Sequence, residues 1–308
     1  MRNRKVLGNV LLLLTAMIWG TAFVAQRAGM ESIEPLTFTA ARMWPAALAV
    51  GLAALSMRRR GPAGTQKTDR KKTALGGICC GVFLVSATIF QQMGIVYTTA
   101  GKAGFITAMY MLLVPVVNFV FFGKKNTWLV WLAVMTGVAG MYLLCITEGF
   151  SLTKGDGLVC ICAVLFTGHI LCIDYFVRTC NPVEISAIQF FTAAVVATAA
   201  AFLAETPTWE KIAAAAIPIL YCGLVSGGIG YTLQIVAQKF TDPTVASLLL
   251  SMESVFAVLG GALILKERMN GRELAGCAVM FIAILMVQLP LSQKSRSSYA
   301  RDSGNVGK

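Results

Sequence analysis

The sequence predicts an all-α integral membrane protein with ten transmembrane helices arranged as two inverted five-helix repeats (5+5). Three observations predict it. The 308 residues are 57 % hydrophobic and 13 % charged, with a mean hydropathy of +0.73; soluble domains carry about 25 % charged residues. The apolar residues fall into ten runs, and a hydrocarbon core about 30 Å thick needs roughly 20 residues per helix. The two halves of the chain also match each other in order along their length. So little polar surface cannot coat a soluble globule. The basic excess, 26 Lys+Arg against 14 Asp+Glu, is therefore not read as a nucleic-acid footprint, and no nucleic-acid partner is expected. A soluble enzyme, a secreted disulfide scaffold and a disordered chain are excluded on the same arithmetic.

The runs span about 6–26, 35–56, 74–97, 101–122, 128–146, 157–177, 184–204, 213–238, 243–265 and 272–290. The first follows Arg2, Arg4 and Lys5, a start that mimics a secretory signal. Its apolar stretch runs on too far and no small-residue cleavage site follows, so it is read as a structural helix. Connections are short except for a basic loop at 57–73. The tail, 291–308, is predicted to be disordered. Pro45, Pro115 and Pro218 interrupt the second, fourth and eighth runs. Each removes a backbone hydrogen bond, which a membrane tolerates where protein or a watery cavity satisfies the freed carbonyl. Pro115 is the hinge candidate.

Orientation follows from the Lys/Arg bias of the loops. With the N-terminus inside, eighteen of the 26 basic residues fall on the cytoplasmic side and seven outside, Arg42 lying within a span. Both termini are therefore expected in the cytoplasm, in a bacterial cytoplasmic membrane. The nine cysteines nearly all lie inside apolar runs without a CxxC, and are read as small buried hydrophobes. A metal site would need Cys160, Cys162, the single histidine His169 and a fourth ligand; no metal and no cofactor is expected.

Self-comparison carries most of the information. At an offset of 147, Thr15-Ala16-Met17-Ile18-Trp19 aligns with Cys162-Ala163-Val164-Leu165-Phe166, and Pro35 to Ala40 with Pro182 to Ala187. At an offset of 143, Phe90-Gln91 and Tyr97-Thr98 fall on Leu233-Gln234 and Phe240-Thr241, while Ala133 and Gly140 fall on Gly276 and Ala283. The halves are 1–146 and 157–290. Five being odd, the second half must cross the membrane the other way round. Transporters commonly use this plan, with substrate bound near the midplane between the repeats.

Several residues then resemble the drug/metabolite transporter superfamily, in its bacterial EamA-type form, over about residues 8–289. They are Trp19-Gly20, Pro35 with Arg42, Tyr97-Thr98-Thr99-Ala100 leading to Gly104-Phe105-Ile106, and Pro115-Val116. The second half adds Ala246-Ser247-Leu248-Leu249, Glu253-Ser254-Val255 and Lys266-Glu267-Arg268. Ser254 stands where that family often has proline, and Lys124 stands opposite Glu267, so the first half lacks the acidic helix-end residue. The resemblance implies the fold group and a transporter, without naming the solute.

Charged groups at helix-centre depth cost a few kcal/mol and tend to face the bundle interior. Arg42 and Glu253 are the clear cases, at depths differing by about 5 Å on a rise of 1.5 Å per residue. They pair with each other, or one of them meets substrate or a proton. Glu253 is the proton-coupling candidate. His169 packs or relays; Trp19 lies too deep for the interfacial belt and lines a cavity or packs. Gln91 and Gln234 are repeat mates, read as gate or packing amides or as ligands. Three stripes recur at three- and four-residue spacing: Gly104, Thr107, Met111, Pro115 and Asn118; Gly223, Gly227, Gly230, Gln234 and Gln238; and Ser247, Ser251 and Ser254. They are close-packing seams of small residues or a polar cavity wall. The substrate-pathway candidates are therefore Trp19, Arg42, Gln91, Tyr110, Met111, Asn118, His169, Tyr231, Gln234, Ser251 and Glu253.

The expected activity is secondary, non-ATP export of small organic metabolites, amino acids or drugs by alternating access. No GxxxxGK[ST] phosphate loop is present. The rivals are an intramembrane enzyme, for which GxSxG and HExxH are both missing, and a receptor or scaffold. No catalytic residue is assigned. The expected partners are a small-molecule substrate and membrane lipid, with the protein a monomer or homodimer.

Overall fold

The computed structural model describes residues 2–60, 69–98, 100–123, 126–145, 154–264 and 271–288. The tail, residues 61–68 of the 57–73 loop, Lys124 and the Lys266-Glu267-Arg268 motif lie outside the described residues. The first half holds α1 (Arg2–Gly29), α2 (Pro35–Arg60), α3 (Arg70–Ile95), α4 (Ala100–Thr107), α5 (Tyr110–Phe122) and α6 (Trp128–Cys145). The second begins with α7 (Lys154–Val177), α8 (Pro182–Ala204), α9 (Trp209–Ala214) and α10 (Ala216–Leu220). A π-helical stretch over Tyr221–Tyr231 follows, then α11 (Thr232–Gln238), α12 (Pro243–Leu250), α13 (Glu253–Ile264) and α14 (Gly271–Gln288). No strand occurs among the described residues.

Among the described residues, eight helical stretches are long and apolar enough to cross a membrane: Arg4–Gly29, Pro35–Arg59, Arg70–Ile95, Ala103–Phe122, Lys154–Val177, Pro182–Ala204, Ala216–Gln238 and Pro243–Gly260. Shorter apolar helices, Trp128–Gly140 and Leu274–Ala283, occupy the fifth and tenth runs. The chain is a multi-pass, all-helical membrane protein.

Helix starts follow local chemistry. Asp69 accepts the amides of Lys71 (3.0 Å) and Lys72 at α3. Asn181 and Asp242 do the same at α8 and α12, each followed by a proline whose missing N–H costs nothing in the first turn. The cap on α2 comes from afar: the Glu205 carboxylate, just past α8, accepts the amides of Leu36 (3.0 Å) and Thr37 (2.7 Å).

The fourth and ninth runs are not continuous helices. They break at Ala108–Met109 and at Ser251–Met252, positions separated by the repeat offset of 143. Pro115 sits seven residues after the first of these, within α5, and its carbonyl accepts from Asn126 Nδ2 at 3.3 Å. Pro45 leaves α2 unbroken, whereas Pro218 precedes the π-helical stretch.

The packing is symmetric under exchange of the two halves. α6 lies along α14, and α2 along α8. α3 packs on α7 and α8, as the π stretch and α11 pack on α1 and the π stretch on α2. α1 lies on α12 and α13, as α7 lies on α4 and α5. Two glycines permit the tightest of these approaches. A Cβ at Gly20 would stand 2.6 Å from the Glu253 carbonyl and 2.7 Å from the Ala257 nitrogen, and one at Gly223 would stand 2.6 Å from the Arg42 carbonyl.

Candidate functional site

The two backbone breaks meet at the centre of the molecule. Tyr110 opens α5 and Glu253 opens α13; these repeat mates touch, the Tyr110 hydroxyl donating to Glu253 Oε1 at 3.0 Å. A small cavity surrounds the contact. α1 supplies Trp19, Phe23 and Gln26, while Arg42 comes from α2, Gln91 from α3, Thr107 from α4 and Tyr110 from α5. The second half supplies Phe166, Ile170, Ser226, Tyr231, Gln234 and Glu253. Four pairs in this lining are related by the repeat offsets: Trp19 with Phe166, Phe23 with Ile170, Gln91 with Gln234, and Tyr110 with Glu253. The cavity is therefore lined from both halves of the chain by offset-related residues.

Its volume is about 20 Å³, counted as space open to a water's centre, which holds about one water. An organic solute does not fit until the halves separate.

The aromatic wall is built around Tyr231, whose ring lies 4.4 Å from Trp19 and 5.9 Å from both Phe190 and His169. The Trp19 indole N–H donates to the Ser226 carbonyl at 3.2 Å. That acceptor belongs to the π-helical stretch, where wider turns displace backbone groups from the α-helical ladder, a device often found at functional sites. Opposite, the Gln91 amide donates to Thr107 Oγ1 at 3.2 Å.

Arg42 is 5 % exposed, its guanidinium 5.6 Å from the centre of the Phe38 ring, and its Nε and Nη2 have no hydrogen-bond partner. Arg42 and Glu253 face one cavity without forming an ion pair. Gln26 and Gln234 each leave Oε1 unpartnered in the same lining. Buried groups without partners cost about 1–3 kcal/mol each, so these atoms favour a polar occupant of the cavity, whether water or solute.

Seven of the eleven pathway candidates line the cavity: Trp19, Arg42, Gln91, Tyr110, Tyr231, Gln234 and Glu253. The other four lie outside it. Met111 fills the space above Gly137. Asn118 is buried farther along α5. His169 bonds Gln189 at 3.1 Å, and Ser251 returns its hydroxyl to the Leu248 carbonyl at 2.7 Å. Ser247 and Ser254 also bond the carbonyl three residues back, so the serine stripe stiffens its own backbone. The glycine stripe splits: Gly223 and Gly227 meet α2, whereas Gly230 meets Trp19. Wider π turns rotate residues that three- and four-residue spacing would align.

Sequence reasoning missed Phe23, Gln26, Phe166, Ile170 and Ser226, whereas Thr107 stood in a stripe read as a packing seam or a cavity wall. Phe23 and Gln26 follow Trp19 at four and seven residues, one face of α1. Phe166 and Ile170 were reachable through the offset of 147. Among the described residues no cluster of three metal-ligating side chains forms.

A multi-pass helical bundle enclosing a polar cavity fits a membrane transport protein. The chain belongs to the EamA-like transporter family, within the drug/metabolite transporter superfamily; the family pattern matches twice, at residues 6–146 and 153–289. It is 28 % identical over 291 residues to an uncharacterized transporter of Archaeoglobus fulgidus, covering 93 % of this chain and 87 % of that one. A second uncharacterized transporter, from Synechocystis, is 22 % identical over 92 % of this chain and 91 % of its own. A protein of Streptantibioticus cattleyicolor described as a "probable terminal-alkyne amino-acid exporter" is 22 % identical over 157 residues, 51 % of each chain. A crystal structure superposes with a TM-score of 0.74 at 19 % identity, covering 92 % of this chain and 98 % of that one, so the fold is shared.

Proposed function

We propose that this transporter is a secondary exporter of small organic solutes, with amino-acid-like zwitterions as its preferred class. It works by alternating access in a ten-helix 5+5 inverted bundle with both termini cytoplasmic. The observation that carries this is the buried guanidinium of Arg42, with Nε and Nη2 lacking partners, sharing one cavity with the Glu253 carboxylate. A guest carboxylate satisfies a guanidinium through two parallel hydrogen bonds. A guest ammonium finds Glu253 and the faces of Trp19 and Tyr231, which attract cations. Gln91 and Gln234 supply the matching amides, one from each half.

The exchange symmetry of the packing supports alternating access, because either mouth can close with equivalent contacts. Pro115 is the proposed hinge, beside the break at Ala108–Met109. Glu253 is the proposed coupling group: a proton and a guest ammonium compete for the same carboxylate, which links inward proton movement to outward solute movement. The amino-acid exporter among the relatives agrees with this class.

The test is solute flux in proteoliposomes without ATP, over zwitterionic, anionic, cationic and neutral solutes. Zwitterions moving fastest, driven by a pH gradient, are expected. Flux confined to neutral solutes overturns the substrate class. Product formation without flux overturns the transporter mechanism in favour of an intramembrane enzyme, and binding without either favours a receptor.

A further inference from the structure

A second, larger hollow lies away from the transport cavity. It is a groove of about 1430 Å³ where the end of α2, the start of α3, the α7–α8 turn and the end of α11 converge. Its two parts differ in chemistry. The floor is apolar, running along α2 and α8 past Leu55, Ile188 and Phe191, with Leu55 and Phe191 each more than half exposed. The rim carries Arg58, Arg70, Arg178 and Lys239 against a single lining carboxylate, Glu184. Nearby Asp69 is committed to the α3 amides, and Asp174 holds Arg178 at 2.8 Å while leaving that side chain 61 % exposed.

The dimensions suit one kind of guest. At 1.5 Å per residue, the floor reaches roughly 10 Å along α2 and roughly 14 Å along α8 from the basic end. Half of a 30 Å hydrocarbon core is about 15 Å. A cationic rim above an apolar slot one leaflet deep complements a phosphate with acyl chains attached. A free phosphate or a nucleic acid has no use for the floor, and a zwitterionic headgroup gains less from the rim. Anionic lipids concentrate on the cytoplasmic leaflet, the side to which the loop charges assign this end.

We propose that this groove is a binding site for one anionic glycerophospholipid, its phosphate among Arg58, Arg70 and Lys239 and an acyl chain along Leu55, Ile188 and Phe191. The site is separate from the transport cavity and stands whether or not the substrate class above is right.

The test uses the purified full chain in neutral detergent. Phosphatidylglycerol, phosphatidylcholine of matched chains, and inorganic phosphate are titrated separately, with native mass spectrometry and Tm as readouts. A one-to-one phosphatidylglycerol adduct with a raised Tm is expected, and no comparable response to the other two. In Arg58→Gln/Arg70→Gln/Lys239→Gln the adduct should weaken at least about tenfold, while Arg4→Gln/Lys5→Gln, at the start of α1, should retain it. Equal retention of phosphatidylcholine, a Tm rise reproduced by inorganic phosphate, or an undiminished adduct in the triple variant overturns the proposal. The comparison of the three ligands on the unaltered chain decides the matter even if the triple variant does not fold.

Discussion

Arg42 and Glu253 show how little a sequence distance says about a contact. Their depths along the second and ninth runs bring them level, and both do face one cavity. Their rotation about the helix axes, which no depth count contains, gives Glu253 to Tyr110 and leaves two guanidinium nitrogens of Arg42 unpartnered. The two arrangements respond differently to mutation. Breaking a buried ion pair costs about 3–5 kcal/mol, because it strands a charge. Removing a guanidinium that pairs with no carboxylate and whose Nε and Nη2 lack partners strands no opposite charge. Arg42→Gln should therefore keep or raise Tm while zwitterion flux falls at least about tenfold; a large fall in Tm would make Arg42 a structural residue. Tyr110→Phe takes a donor from a buried carboxylate and should destabilise the fold by about 1–3 kcal/mol, read by thermal unfolding in detergent. Glu253→Gln should abolish the response of flux to an imposed pH gradient, and a retained response would remove Glu253 from coupling.

Helix breaks and close approaches belong to the element scale. Pro115 is visible in the sequence as a potential break, yet the backbone interrupts at Ala108–Met109, where no proline stands. The signal for this lay in the repeat: Tyr110 and Glu253 are offset mates, and each starts a new helix after its break. The π-helical stretch was hidden for a related reason. Its glycines, read on an α-helical period, form one stripe; on wider turns they serve two neighbours, α2 and α1. Gly20 belongs to the Trp19-Gly20 motif, and its physical reason appears only in the packing against α13. Gly20→Ala improves helix propensity but drives a methyl into the backbone of Glu253 and Ala257. Overpacking of this kind costs about 1–3 kcal/mol, so a lowered Tm and a poorer yield of folded protein are expected. An unchanged Tm would mean that α1 and α13 can part without loss.

Across the whole molecule, the halves are tied at one end by polar contacts at the ends of the spans. Glu205 caps α2, Thr98 bonds Asp156 at 3.0 Å, and Lys211 on α9 pairs with Glu34 before α2. The hydrogen bond from the Lys211 ammonium holds the Glu34 carboxyl below the usual carboxylate range. A carboxyl with a lowered folded pKa contributes stability above its unfolded pKa and loses it as pH falls through the folded value. The Tm gap between the unaltered chain and Glu34→Gln should therefore be largest near pH 7 and close below about pH 4.3. Solvent screening at this partly exposed pair keeps the effect under about 1 kcal/mol. A gap that widened on acidification would reverse the assignment.

Composition and the lengths of the apolar runs were enough to establish a helical membrane protein, because burial in lipid constrains length and hydropathy one residue at a time; the resemblance of its motifs was enough to point to the family. Which side chains meet was settled by folding: the Tyr110–Glu253 contact, the unpaired Arg42 and the tight cavity around them depend on helix rotation and on the positions of two breaks and a π stretch. Those are set jointly by neighbours distant in the chain, and a linear pattern carries no record of the angle at which two helices face each other.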